Sequence, residues 1–112
     1  MSLSSTFSQG LSYTFVLNIS LVNLNNLRNK LHHVNSYLIE NEVHIFAICE
    51  TWLISSIADS FVRLDNYNTA RSDNPGSTKK HGVALYVHSS IKFHIVDILL
   101  NIITIYLVEF DI

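Results

Sequence analysis

Two apolar runs separated by an amphipathic helical pattern constrain this chain more than any other feature. Residues 14–23 are apolar and β-branched, with Phe15, Val16, Leu17, Ile19, Leu21 and Val22, and predict a first strand. Leu27, Leu31, Val34 and Leu38 then recur at helical spacing, while Arg28, Lys30, His32, Asn35 and Glu42 stand mostly elsewhere. Asn25 or Asn26 is suited to cap that helix, because an Asn side chain satisfies the free N–H groups of a first turn. The helix is expected to end near Asn41. Residues 43–49 form a second apolar run, interrupted only by His44, and predict a buried strand. Strand, helix and strand in this order imply a crossover and parallel or near-parallel neighbours.

The pattern then changes. Residues 51–61 predict a loop or short helical turn, and residues 65–70 a short strand. Asn74-Pro75-Gly76-Ser77 marks an exposed turn within 71–81. In 82–88, Val83, Leu85 and Val87 alternate with Ala84, Tyr86 and His88. Ser89-Ser90 then turns the chain into 91–96, where Ile91, Phe93 and Ile95 alternate with Lys92 and His94; this predicts a hairpin. A last strand is expected over 102–110. The layout is α/β: a β-α-β unit followed by an antiparallel meander. Residues 1–12 are polar and Ser-rich and are expected to be disordered, leaving 13–112 as one domain.

Hydrophobic residues make up 48% of the 112 residues and charged residues only 14%. A soluble domain usually carries about a quarter charged. So apolar a chain fits a β-rich protein or, the preferred reading, a piece of a larger domain with surface meant for a missing layer. The net charge of −2 gives no general sign of nucleic-acid binding. Locally, Arg71, Lys79, Lys80 and His81 share a loop with Asp73, a grouping that is ordinarily a solvated loop. The single Cys49 cannot form an internal disulfide and suits a reducing compartment. No basic, apolar leader opens the chain, so secretion is not expected. The apolar stretch 98–108 is broken by Asn101 and Thr104 and falls short of the about twenty residues a span needs. A nuclear or cytoplasmic location and no membrane partner follow as expectations.

The chemistry concentrates where the second strand ends. Glu50 follows the buried run directly, and Asn23 ends the first strand. Open α/β sheets place their sites at the C-terminal ends of adjacent strands. A hard cation such as Mg²⁺ takes oxygen ligands and keeps several waters, so a carboxylate and an amide suffice on the protein side. Taken singly, a Glu after a strand is common and an Asn before a helix is ordinarily a cap. The six His have no metal-ligand spacing, since His32 and His33 are adjacent and no His-x-x-x-His occurs. Trp52 is expected to pack under the Glu50 loop.

Taken together, Asn23-Leu24-Asn25-Asn26-Leu27-Arg28-Asn29-Lys30-Leu31, Glu50-Thr51-Trp52-Leu53 and Gly82-Val83-Ala84-Leu85-Tyr86-Val87 resemble the endonuclease/exonuclease/phosphatase family. The wording is similar to the apurinic-endonuclease-like endonuclease domain of non-LTR retrotransposons, and the resemblance runs from about Tyr13 onward. It implies the N-terminal half of a four-layer α/β sandwich, left incomplete. It implies Mg²⁺ or Mn²⁺ held by Glu50 with Asn23, and DNA as the substrate whose phosphodiester bonds are hydrolysed. It gives Asn25, Arg71, Lys79 and Lys80 roles in supporting the site or contacting nucleic acid, with a helix cap the ordinary role for Asn25 and a surface cation for Arg71. His81 stands where relatives often carry Gly. The family's Asp-x-Asn, its further metal-site Asp and its catalytic His with an acidic partner have no counterpart here. Little or no nuclease activity is therefore expected of this chain alone, because groups acting as a unit fail together. The alternatives are a non-catalytic interaction module, a degenerate transposon remnant, or a phosphatase or deadenylase of the same superfamily. The missing C-terminal half, or a partner, is expected to cover an exposed apolar sheet face.

Overall fold

The computed structural model describes residues 2–8, 12–73, 81–99 and 102–110. The order is β1 (Ser2–Ser8), β2 (Ser12–Asn23), a 3₁₀ turn at Arg28–Lys30, α1 (Leu31–Glu40), β3 (Ile45–Cys49), and a 3₁₀ turn at Asp59–Val62. After these come β4 (Tyr67–Ser72), β5 (Val83–His88), β6 (Ile91–Leu99) and β7 (Ile102–Phe110). One sheet runs β1-β2-β3-β5-β4, and β6 pairs with β7 in a second.

The β-α-β unit forms as its pattern predicts. β2 and β3 are parallel, with Ile19 opposite Ile45 and Asn23 opposite Cys49. α1 crosses over between them and buries Val34 and Leu38. Successive side chains of a strand point to opposite faces, and the burial follows that alternation. Phe46, Ile48 and Tyr86 join Leu27, Val34, Leu38, Leu53 and Val62 in the core on the helix side. The other face buries Leu17, Ile45, Val87 and Ile91, with Phe93 of β6 packed against them. Cover on this face fades toward the strand ends that carry Asn23 and Glu50. Along β2, Leu17 is buried, Ile19 is half-buried and Leu21 is 69% exposed.

The structure departs from expectation in three places. β5 and β6 are not a hairpin. The chain turns at Ser89-Ser90, but β5 is already flanked by β3 and β4, so β6 finds no free edge and pairs with β7 instead. Residues 2–8, expected to be disordered, form a strand on β2, with Ser2 opposite Asn18 and Ser8 opposite Ser12. β3 takes up only Ile19 to Asn23 of β2, so the earlier part of that long strand has backbone groups to offer. β4 extends to Ser72, which puts Arg71 on a strand and not in the turn after it.

His44 sits where β2 changes partner. Its Nδ1 accepts the Asn18 N–H at 2.9 Å, and its own N–H donates to the Asn18 carbonyl at 2.9 Å. Partial burial and the neighbouring His88 hold its imidazole below the ordinary value of 6.5, with Glu42 opposing weakly. A protonated Nδ1 cannot accept that bond. The folded state thus favours neutral His44, and the unfolded state takes up the proton first. Stability is predicted to be complete above pH 6.5 and to fall as pH drops below it. His44→Asn keeps an acceptor in the Nδ1 position without a proton to gain. Urea midpoints between about pH 7.5 and pH 5.5 should therefore fall less steeply for His44→Asn than for the parent. Equal slopes would remove His44 from the acid response.

Candidate functional site

The parallel pair sets the site. Because Asn23 lies opposite Cys49, Glu50 is the first residue beyond the ladder on the neighbouring strand. The ladder is then extended by loop backbone. Leu24 N–H donates to the Cys49 carbonyl, Asn26 N–H to Glu50, and Leu27 N–H to Thr51, each at 3.0 Å. On the opposite side, Thr51 N–H donates to the Gly82 carbonyl at 3.2 Å and Trp52 N–H to that of His81 at 3.0 Å. The turn that carries Glu50 is held between the β2–α1 loop and the start of β5.

This arrangement explains why Asn25 and Asn26 do not cap the helix. Both take left-handed backbone, with φ of 51° and 81°, and no side chain caps the N-terminus of either helical segment. The Asn26 and Leu27 amides go to the Glu50 turn, so the loop is shaped by tertiary pairing and not by helix initiation. Lys30 completes it. Its ammonium donates to the Leu24 carbonyl at 2.5 Å and to the Asn25 carbonyl at 2.7 Å. Asn25 itself is exposed at this end of the sheet, as is Asn23.

The Glu50 carboxylate is partly exposed and only loosely engaged. Trp52 Nε1–H donates to Oε2 at 3.4 Å, and His81 Nδ1 stands 3.7 Å from Oε1. Neither contact was legible beforehand. Sequence pattern predicts Trp52 beneath the loop and places His81 in a basic loop, where relatives often carry Gly. The signal lay in the backbone: Glu50 and Trp52 both take positive φ, 60° and 58°, a conformation that sequence pattern does not reveal. One carboxylate and one neighbouring amide are oxygen donors of the type Mg²⁺ or Mn²⁺ accepts while keeping most of its water. Among the described residues no group of three His, Cys, Asp or Glu side chains is placed to hold an ion. The residues present therefore fit a hydrated cation held from one side, and not a closed protein cage.

Arg71 is neither a surface cation nor a free hand for phosphate. Its side chain is only 10% exposed. Nε donates to Asp73, Nη1 to the Ile57 carbonyl and Asp59, and Nη2 to the Ile54 carbonyl and Asp73. A guanidinium has five N–H donors, and all are engaged. Burial alone would lower its proton affinity, but Asp73 and Asp59 outweigh that and hold it above its usual value. Arg71 ties the loop that follows the Glu50 turn to β4. Lys79 and Lys80 lie outside the described residues. Cys49 is a free, half-buried cysteine one residue before Glu50. No helix among the described residues is long and apolar enough to cross a membrane.

A mixed sheet with one helix on a face and a second sheet beginning on the other is a partial α/β sandwich. Among solved structures, an AP endonuclease from Archaeoglobus fulgidus is similar, with a TM-score of 0.52 and 25% identity over 72% of this chain. The chain spans about a third of that protein, 32% of its length. No protein-family model matches the chain, and no curated protein matches its sequence. The likeness supports a nuclease-like superfamily, one whose members generally use divalent metals.

Arg71→Ala is predicted to destabilise the chain by about 3 kcal/mol, the loss expected when a buried pair is broken from one side. Most of this belongs to Asp73 and the two carbonyls, because Asp59 is 71% exposed and screened. Arg71→Lys should recover little, since a single ammonium cannot reproduce the fork. Urea denaturation measures both; a loss below about 0.5 kcal/mol for Arg71→Ala would contradict the structural role.

Proposed function

We infer that this chain is the Glu50-bearing part of a metal-dependent phosphodiester hydrolase acting on DNA, of the apurinic-endonuclease-like type. The observation that carries the inference is the placement of Asn23 and Glu50 at the C-terminal ends of two adjacent parallel strands, in a fold similar to an AP endonuclease over 72% of the chain. Glu50 is the direct ligand of Mg²⁺ or Mn²⁺. Asn23 stands beside it and orients a metal-bound water or a phosphate oxygen. The bound cation supplies electrostatic stabilisation of the phosphate and activation of water. Asn25 contributes an exposed amide at the same end, and Arg71 acts by holding the loop after Trp52. Lys79 and Lys80 supply positive charge toward the DNA backbone. Glu50-Thr51-Trp52-Leu53 and Gly82-Val83-Ala84-Leu85-Tyr86-Val87 support the retrotransposon branch over other members of the superfamily.

The residues on hand bind and orient; they do not complete a hydrolytic site. The chain has no Asp-x-Asn and no Asp-His pair. Saturable Mn²⁺ binding is therefore expected for the 112-residue chain, weakened at least about tenfold in Glu50→Gln, with plasmid nicking no greater than that of Glu50→Ala. Paramagnetic relaxation measures the first and supercoiled-plasmid conversion the second. Unchanged Mn²⁺ affinity in Glu50→Gln would remove Glu50 from the site. Robust nicking by the parent but not by Glu50→Ala would show that these residues suffice for turnover.

A further inference from the structure

Glu50 owes its position to a backbone that its own residue type disfavours. Glu50 and Trp52 both lie in the left-handed region, at φ of 60° and 58°, on either side of Thr51. Non-glycine residues persist there only when their surroundings over-determine them. The surroundings here are the five loop hydrogen bonds described above and one further device. Thr51 is fully buried, and its Oγ1 accepts the Leu53 N–H at 3.3 Å. Directly across from it is Gly82, at φ of 106°. A Cβ built on Gly82 would lie 2.6 Å from Thr51 Oγ1, closer than real Cβ atoms come to any neighbour. The hydroxyl of Thr51 thus fills the space a side chain at 82 would need. The Gly82 carbonyl in turn takes the Thr51 N–H.

We propose that Thr51 and Gly82 are an interlocked pair of positioning residues that hold the Glu50 carboxylate in place at its strand end, an inference that rests on Glu50 being the metal ligand. Neither touches the cation. Thr51 sets the turn between the two left-handed residues, and Gly82 lets β5 approach closely enough to clamp it. The result brings Trp52 Nε1 back onto the Glu50 carboxylate, where it donates at 3.4 Å. Gly82 and Thr51 lie 31 positions apart in the chain, and the β3–β5 pairing brings them together.

Two readouts test the pair in the 112-residue chain: Mn²⁺ affinity, and the ¹⁵N–¹H resonance of the indole of Trp52, the chain's single Trp. Thr51→Ser keeps the hydroxyl and should match the parent in both. Thr51→Val and Gly82→Ala should bind Mn²⁺ about ten to a hundred times more weakly, the usual loss when a ligand's orienting partner is removed. Both should also move the indole resonance toward its solvent-exposed position, with the far-UV circular dichroism unchanged. Gly82→Ala carries the test if Thr51→Val fails to fold. Folded variants with the parent's affinity and indole resonance would overturn the proposal. Glu50→Gln separates the two claims. If it binds Mn²⁺ like the parent, the metal assignment fails, and the indole resonance of the Thr51 and Gly82 variants still decides whether the pair positions Glu50.

Discussion

The parallel pairing of β2 with β3 is the contact on which the rest depends. It brings Asn23 beside Cys49 and so puts Glu50 one residue past the end of the ladder. It also requires a crossover, and α1 serves as that crossover while covering one face of the sheet. The two loops that leave the strands continue to bond one another through Asn26, Leu27, Glu50 and Thr51. β5 then closes the other side of the Glu50 turn. Shifting the β2–β3 register by one residue would turn Asn23 to the opposite face and break the loop pairing as well.

Much of this was legible in the sequence because it rests on local periodicity. The two apolar runs, the 3.6-residue spacing of Leu31, Val34 and Leu38, and the alternation in 83–88 each report a buried face directly. What escaped depends on partners distant along the chain. Ser89-Ser90 signals a turn, but nothing local shows that β3 and β4 have already taken both edges of β5. Asn25 and Asn26 have the chemistry of helix caps, and tertiary pairing draws the next amides to the Glu50 and Thr51 carbonyls instead. Arg71 carries the same side chain as a phosphate-binding arginine; only its five internal acceptors show it to be occupied. The pairing of Trp52 and His81 with Glu50 follows from left-handed backbone at 50 and 52, which composition does not encode.

A fold does not by itself fix an activity. The likeness to an AP endonuclease supports a nuclease-like superfamily, while the proposed cation site rests on two residues at one sheet end. The exposure pattern is consistent with that division. Cover is firm at Leu17, Ile45 and Val87 and thins along the same face toward Leu21. The Glu50 turn therefore lies at the thinly covered end of that face, where loop hydrogen bonds hold the backbone. Under the proposed metal assignment that fixed backbone matters, since a loosely held ligand loses metal affinity even when its chemistry is correct.

The most direct test of the central claim, that the Glu50 turn is clamped from both sides, is amide hydrogen exchange at four positions. Asn26 and Leu27 report the β2–α1 loop, and Thr51 and Trp52 report the contact with β5. All four amides should be protected to nearly the degree of the β3 amides, because the ladder continues through them. Exchange at the rate of an open loop for either pair, while β3 stays protected, would contradict the account.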